Sequence, residues 1–444
     1  MPTLEQLSHH LNAAWTIAMA LWVYLMHAGF GFYEAGMCRR KNTVDTLSHN
    51  LIILAISLVA YWLIGFGLMY GNGNGFIGLT GFAPETLAGK AGTYASLDIK
   101  PVSLVVVLAF ALSFCDTPAT LIAGTGAERI KLIAVAAMTI VISGFIFPVV
   151  GHWVAGGGWL SKLPTPVYDI GSGFLQLTGG ACALAVALLL GPRRGRFKRD
   201  EDEPAKAIAP SSMPFVFLGG FLLWMGFFAY SAGYSMAANA GIGLAVVNTA
   251  LAGGFGAVTG MLGSWLLTGK AELRATIVAL LTAGVASTSP SAVVAPWAGA
   301  AIGIIAGAAT LGSIRLWAAL HIDDPTEYLT MNIVGGVIGM TAVGLFASPA
   351  IIARYHPASP PQPGLVYGHI DQLLSQWLGT AAIGAFALVA AFVAAAALRA
   401  VGWLRVSPHE EEEGSDKATH GESADGEDEG GNEGGDEDER EPQP

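Results

Sequence analysis

Two short stretches decide the fold: Gln176-Leu-Thr-Gly-Gly180, early in the apolar run Ser172–Leu190, and Asn332-Ile-Val-Gly-Gly336, early in the run Met331–Phe346. Each sets an amide side chain three residues ahead of a glycine pair. Lipid gives helices no hydrophobic reason to associate, so residues small enough to let two backbones approach are what join one span to another. The two copies sit in the fifth and the tenth apolar runs. They therefore enter the bilayer from opposite sides, the pattern of an inverted repeat whose site lies near the midplane.

Working outward, runs of the length needed to cross a bilayer, about 20 residues, recur along the chain. They lie at Trp15–Met37, Leu51–Met69, Val102–Thr125, Leu132–Val154, Ser172–Leu190, Met213–Tyr234, Gly241–Leu267, Thr276–Pro290, Val293–Leu311, Met331–Phe346 and Trp377–Val401. The prediction is an all-α membrane protein of eleven transmembrane helices, two inverted five-helix repeats plus a last helix. Of the 444 residues, 53% are hydrophobic and 12% charged, against about 25% charged in a soluble domain. That balance excludes an ordinary soluble enzyme, a disordered chain and a disulfide scaffold. Cys38, Cys115 and Cys182 fall in or beside apolar runs and read as small buried hydrophobes.

The formal charge of −11 belongs to one end. From Ser407 onward there are 16 acidic and two basic residues. Residues 1–406 read as the transmembrane domain and 407–444 as an acidic tail, largely disordered by composition beyond Gly414. With the N-terminus outside, 18 Lys/Arg fall on the cytoplasmic side and four outside, so a multi-pass protein of the cell membrane with N-out and C-in is expected. The first run follows no basic residue and reads as a retained helix rather than a signal peptide. The loop Gly191–Pro210 reads as a mobile cytoplasmic connection between the halves.

A polar side chain at bilayer depth costs roughly 3 kcal/mol and needs a partner or a purpose. Asp116 in the third run either pairs with a neighbouring helix or faces a conduction path. Asp169, at the entrance to the fifth, either caps that helix or stabilises a cation near the outer mouth. Phe110 and Phe114 share a helix face, and Trp224, Phe227, Phe228, Tyr230 and Tyr234 run along the sixth span. Such rings pack, and they can also hold a small cation. Glu128-Arg129 reads as an interfacial ion cluster. The histidines, His27, His49, His152 and His321 among them, have no metal-ligand spacing. The chain has no phosphate-binding loop, no nucleophile elbow and no dinucleotide fingerprint, so neither an enzyme nor an ATP-driven pump is expected, and no cofactor, metal or nucleic acid.

Taken together the residues resemble the ammonium transporter family (Amt/Mep/Rh). The likeness is carried by Gly31-Phe-Tyr-Glu-Ala-Gly36 with Arg40-Lys-Asn42, Gly126-Ala-Glu-Arg-Ile130, His152 with Gly156-Gly-Gly158, Gly171-Ser-Gly173 with Leu177-Thr-Gly-Gly180, Asp323-Asp-Pro325 with Gly335-Gly336, and the tail Leu404-Arg-Val-Ser-Pro408 with His420-Gly-Glu422. The resemblance implies a homotrimer with one ammonium/ammonia pore per subunit, and a tail that can meet a cytosolic nitrogen-signalling regulator. It implies an outer vestibule with Asp169, Phe110, Phe227, Tyr230 and Tyr234, a gate at Phe114, and a pore lined at two positions by paired histidines.

This chain departs from that pattern. Gln176 and Asn332 stand where the paired pore histidines are expected, Ala155 where a vestibule tryptophan is expected, Tyr230 where a phenylalanine is usual and Tyr234 where a small hydroxyl residue is expected. The register puts either Tyr168 or Asp169 at the carboxylate position, and Asp116 stands near a position that is uncharged in the family. Amides do not titrate but still donate and accept hydrogen bonds, so the pore stays polar without an imidazole relay, and Asp116 becomes a candidate pore-lining acid. An ammonium transporter, a transport-deficient ammonium sensor and a channel for another small solute all fit these residues.

Overall fold

The computed structural model describes residues 3–84, 93–98, 101–197, 208–355 and 361–424. Nine helices among them are long and apolar enough to cross a membrane: α1 (Leu4–Met37), α2 (Arg40–Tyr70), α3 (Leu104–Gly126), α4 (Leu132–Lys162), α5 (Ser172–Leu190), α6 (Met213–Gly233), α7 (Gly241–Thr268), α9 (Pro296–Ala319) and α11 (Asp371–Ala400). Two shorter apolar helices, α8 (Leu273–Thr288) and α10 (Thr330–Phe346), fall at the eighth and tenth expected runs. Nine of the eleven expected runs are thus helices of spanning length among the described residues, and the other two are shorter.

Glycine sets the crossings. A Cβ on Gly219 of α6 would lie 2.2 Å from the Tyr33 backbone nitrogen of α1, and one on Gly29 would lie 3.0 Å from the Leu223 nitrogen. The two backbones touch, and no larger residue fits between them. The fifth and tenth helices meet in the same way and reciprocally. A Cβ on Gly180 would sit 3.0 Å from the Ile333 nitrogen, and one on Gly336 would sit 3.0 Å from Leu177 Cβ. Ile333 and Leu177 each follow the amide of their own motif, so each motif's second glycine seats on the same position of the other. The first glycines turn away to equivalent helices, Gly179 onto Pro118 of α3 and Gly335 onto Val285 of α8. This reciprocity is the two-fold relation of an inverted repeat.

The face that carries the C-terminus is closed by buried charge. Glu128 pairs with Arg39 and with Arg193 at 2.7 Å. Arg193 also donates to Asp323 at 2.8 and 3.0 Å. Arg129 is fully buried and spends its guanidinium on backbone carbonyls, 2.8 Å to Gly191 and 2.7 Å to Asp323. Glu128 and Arg129 therefore join a wider cluster instead of pairing with each other. Burial alone would raise the Asp323 carboxyl, but the Arg129 charge and the Arg193 bonds outweigh it and hold the group below the usual carboxylate range.

The tail folds back on this face. The Val406 amide donates to the Arg129 carbonyl at 3.0 Å, and Glu411 accepts from Arg405 at 2.8 Å and from the Arg194 amide at 2.7 Å. Composition predicts disorder beyond Gly414, yet Ser415 and Asp416 are buried. The Ser415 amide donates to Asn42 Oδ1, and the Asp45 amide to Asp416 Oδ1, both at 2.9 Å. Polar side chains at the start of α2 supply partners that composition cannot reveal. Residues 425–444 and 198–207, which hold most of the predicted tail disorder and half of the predicted mobile loop, lie outside the described residues.

Two outcomes follow. Gly219→Leu forces α1 and α6 apart and should cost more than the roughly 1–3 kcal/mol of an ordinary overpacked core, read as loss of monodisperse protein in detergent. Asp323→Asn strips Arg193 of one of its two buried acid partners and should cost about 1.5–3 kcal/mol at neutral pH, the worth of a charge-assisted bond, read as a lowered melting temperature. Because the folded Asp323 titrates below its unfolded value, its contribution is complete above about pH 4 and fades as pH falls, so the gap between wild type and variant should narrow on acidification.

Candidate functional site

On the face that carries the N-terminus a cavity of about 580 Å³ opens between α4, α5 and the end of α6, lined among others by Tyr70, Ala155, Tyr168, Asp169, Tyr234 and Met236. Ala155 leaves the space that a tryptophan there would fill. Beneath it aromatic side chains close a circuit. Ring centroids lie 5.2 Å apart for Tyr230–Phe114, 6.2 Å for Phe114–Phe147, 5.9 Å for Phe147–Phe174, 6.2 Å for Phe174–Tyr234 and 5.9 Å for Tyr234–Tyr230. Phe110 stacks on Tyr230 at 6.1 Å. The rings come from α3, α4, α5 and α6, so the circuit spans the gap between those helices.

Phe114 owes its place to a break. α3 loses helical hydrogen bonding at Ser113–Asp116, and Pro118 restarts the helix at its first turn, where its missing N–H costs nothing. Phe227 lies apart from the circuit, its ring packed where a Cβ on Gly284 would approach to 2.6 Å. The Tyr230 hydroxyl is buried without a hydrogen-bond partner among the described residues, which is costly unless something else bonds to it.

Asp169 is 5% exposed and organises the start of α5. Its oxygens accept from the amides of Gly171 at 2.9 Å, Gly173 at 3.1 Å and Phe174 at 2.5 Å, and from the Ser289 hydroxyl at 2.5 Å. The capping role expected of it is thus present, while the residue still borders the cavity. Burial pushes its carboxyl up from the ordinary value, against the opposing pull of Ser289 and the three amides. Asp324 does the same for the other half, accepting from the Leu329 amide at 2.7 Å. Sequence reasoning missed that equivalence because Asp323-Asp-Pro325 offers two acids and only one caps.

Gln176 and Asn332 are each 3% exposed, and both lie in π-helical turns, Ser172–Leu177 and Thr330–Val334. Such turns carry an extra residue and interrupt regular bonding, often at functional sites. They flank the Gly180–Ile333 and Gly336–Leu177 contacts, so the two amides stand on either side of one crossing. Asn332 Nδ2 donates to the Tyr328 carbonyl at 3.0 Å, which leaves Oδ1 as its free end, an acceptor.

Asp116 goes to a neighbouring helix: its Oδ2 lies 2.5 Å from His27 Nδ1. Glu34, which the sequence places beside Arg39 and Arg40, is fully buried and accepts instead from Asn50 at 2.7 Å and from the Tyr328 hydroxyl at 3.0 Å. His27, Phe147 and Phe174 were not singled out as site residues. Phe174 lies only two residues before Gln176, off its helical face, and like Phe147 and His27 it carries no local signal.

The family model of the Ammonium Transporter Family matches residues 14–425. The ammonium transporter Amt2 of Archaeoglobus fulgidus is 35% identical over 423 residues, 92% of this chain and 87% of that one. Putative ammonium transporter 1 of Caenorhabditis elegans is 33% identical over 94% of this chain and 79% of its own. Among solved structures, one described as a sensor Amt protein superposes with a TM-score of 0.84 at 30% identity, covering 94% of this chain and all of that one. Mep2 of Saccharomyces cerevisiae, at 24% identity, shares the fold with a TM-score of 0.81 over 90% of this chain and 88% of its own. The chain belongs to the ammonium transporter family.

Proposed function

We propose that this protein moves ammonium across the membrane in which its apolar helices lie, through a pore between the two repeats in each subunit. The observation that carries the reading is a set of shared members: Tyr234 lines the cavity and joins the aromatic circuit, and Phe174 of the circuit lies on the same π-helical turn as Gln176. Asp169 and Tyr234 line the entrance, and Asp169 both caps α5 and biases the cavity towards cations. Phe110 and Tyr230 complete the substrate-facing aromatics, Phe227 supports them from its packing on Gly284, and Phe114 is the gate. The rings favour a desolvating cation by as much as about 2 kcal/mol, and the unpartnered Tyr230 hydroxyl gives a substrate hydrogen bond that a phenylalanine could not.

Below the gate, Gln176 and Asn332 replace titratable imidazoles with neutral hydrogen-bonding groups. They offer contact to ammonia or ammonium without holding a proton. Asp116 serves the same transport from beside the pore, through its histidine partner. The basic-residue bias supports the N-terminus outside and the C-terminus in the cytoplasm of a cell-membrane protein. The family resemblance supports a homotrimer, and the tail packed on α2 is the surface that a cytosolic nitrogen-signalling regulator would meet.

A second reading has its own support. A structure described as a sensor Amt protein covers this chain at 30% identity, and a pore without imidazoles suits a protein that binds ammonium but does not pass it.

Reconstituted in liposomes, the wild type should give a saturable ammonium-evoked current. Gln176→Leu combined with Asn332→Leu should lower it by about tenfold or more, the worth of one hydrogen bond to a charged group. Tyr230→Phe should raise the half-saturating concentration several-fold, about 1 kcal/mol for one lost neutral bond. Saturable ammonium binding with neither current nor uptake would reject transport in favour of the sensor.

A further inference from the structure

An amide-lined passage raises a chemical question. Ammonia crosses a narrow apolar constriction far more cheaply than ammonium, but its proton must then be held elsewhere, and Gln176 and Asn332 cannot hold it. The described residues carry a buried acid–base pair at the depth of the gate. The break in α3 that bears Phe114 ends at Asp116, which is 4% exposed and approaches His27 Nδ1 to 2.5 Å. The other imidazole nitrogen, Nε2, lies 2.7 Å from the Asn50 backbone carbonyl of α2. A carbonyl oxygen only accepts, so Nε2 carries a hydrogen.

The state of Nδ1 follows. Its contact with Asp116 is off the line of an ideal hydrogen bond, yet at 2.5 Å two facing lone pairs would repel. One proton of the pair therefore lies between Nδ1 and the Asp116 carboxylate, borne by the nitrogen or by the oxygen. The titratable groups facing it are Tyr24 and Glu34 from α1 and Cys115 from the α3 turn, while α2 presents the Asn50 carbonyl. Glu34 lies seven residues past His27, two turns or about 10 Å along the same face of α1. Asn50 touches both, with its carbonyl on His27 and its amide nitrogen 2.7 Å from Glu34.

We propose that His27 and Asp116 form a proton-binding site alongside the pore that receives the proton ammonium surrenders at the gate, with Glu34 as the next group toward the C-terminal face. The proposal rests on the transport reading above. In the step the pair first gives up its proton to water, which carries it to Glu34, because the Asn50 carbonyl accepts a hydrogen bond but cannot pass a proton on. One N–H bond of ammonium then breaks, the electron pair stays on nitrogen, and the released proton adds to the vacant pair. Ammonia passes Gln176 and Asn332, and at the far face it regains a proton from water as Glu34 releases one. One nitrogen and one positive charge cross per cycle. His27 and Asp116 are proton-holding residues beside the gate, reached from the passage through one water.

The test uses the full chain in liposomes with Asp116→Asn, Asp116→Glu and His27→Gln. Two fluxes are read, the ammonium-evoked current and the entry of uncharged ammonia as alkalinisation of a trapped dye. Asp116→Asn and His27→Gln should each lower the current by about a hundredfold, the scale of a lost acid–base group, and leave ammonia entry intact. Asp116→Glu should restore current with a shifted pH midpoint. Undiminished current in Asp116→Asn overturns the proposal. So does parallel loss of both fluxes in all three variants, which marks a purely structural pair. Nitrogen-15 NMR of His27 in the purified wild type separates this failure from that of transport itself. An Nδ1 at neutral pH that carries a proton or accepts one from Asp116, and loses it in Asp116→Asn, supports the site; an Nδ1 in the wild type that neither carries nor accepts a proton overturns it. A wild type with protonated Nδ1 but no current overturns both transport and the relay.

Discussion

Backbone touching backbone at the α5–α10 crossing is the constraint from which the rest of the architecture follows. In lipid the helices gain nothing from burying apolar surface against each other, so the crossing holds only through close contact. Gly180 and Gly336 supply it, each seated on the residue after the other motif's amide. Neighbouring glycines extend the principle, with Gly179 against α3 and Gly335 against α8. The α1–α6 contact through Gly29 and Gly219 repeats it at the start of each half.

From that crossing the site is assembled without a flexible part. A π-helical turn in each of α5 and α10 places Gln176 and Asn332 on either side of it. A carboxylate caps the entry to each helix, Asp169 on one face and Asp324 on the other. Both acids accept from backbone amides and so fix the helix starts. The aromatic circuit draws on four helices, α3, α4, α5 and α6. At the opposite face, the Glu128–Arg193–Asp323 cluster and the folded-back tail tie the loops of both halves together.

Much of this was legible in the chain. Runs of hydropathy located the apolar helices, because length and apolarity define a span, but several ends lie six to eleven residues off, at Leu4 rather than Trp15 and at Arg40 rather than Leu51. The paired amide–glycine motifs gave the inverted repeat, and the absence of pore histidines could be read directly. What escaped depended on distant partners. His27 reads as an unremarkable helix residue until Asp116, 89 positions later, folds against it. Phe147 is one more aromatic in an apolar run until Phe174 stacks on it. The π turns leave no trace in hydropathy, and the ordered part of the tail is hidden by an acidic composition that reads as solvated. Asp169 was seen with both of its roles open, and geometry made its capping role concrete.

The central claim is that a passage runs between the aromatic circuit and the two amides, along the seam of the crossing. A cryo-EM map of the protein in lipid, collected with and without ammonium at a resolution that orders water, tests it most directly. The account predicts a single file of density below Phe114, within hydrogen-bonding distance of Gln176 Oε1 and Asn332 Oδ1 and strengthened by ammonium. Side chains of Gln176 and Asn332 directed into lipid, or a dry seam closed by apolar contacts in both conditions, would contradict it.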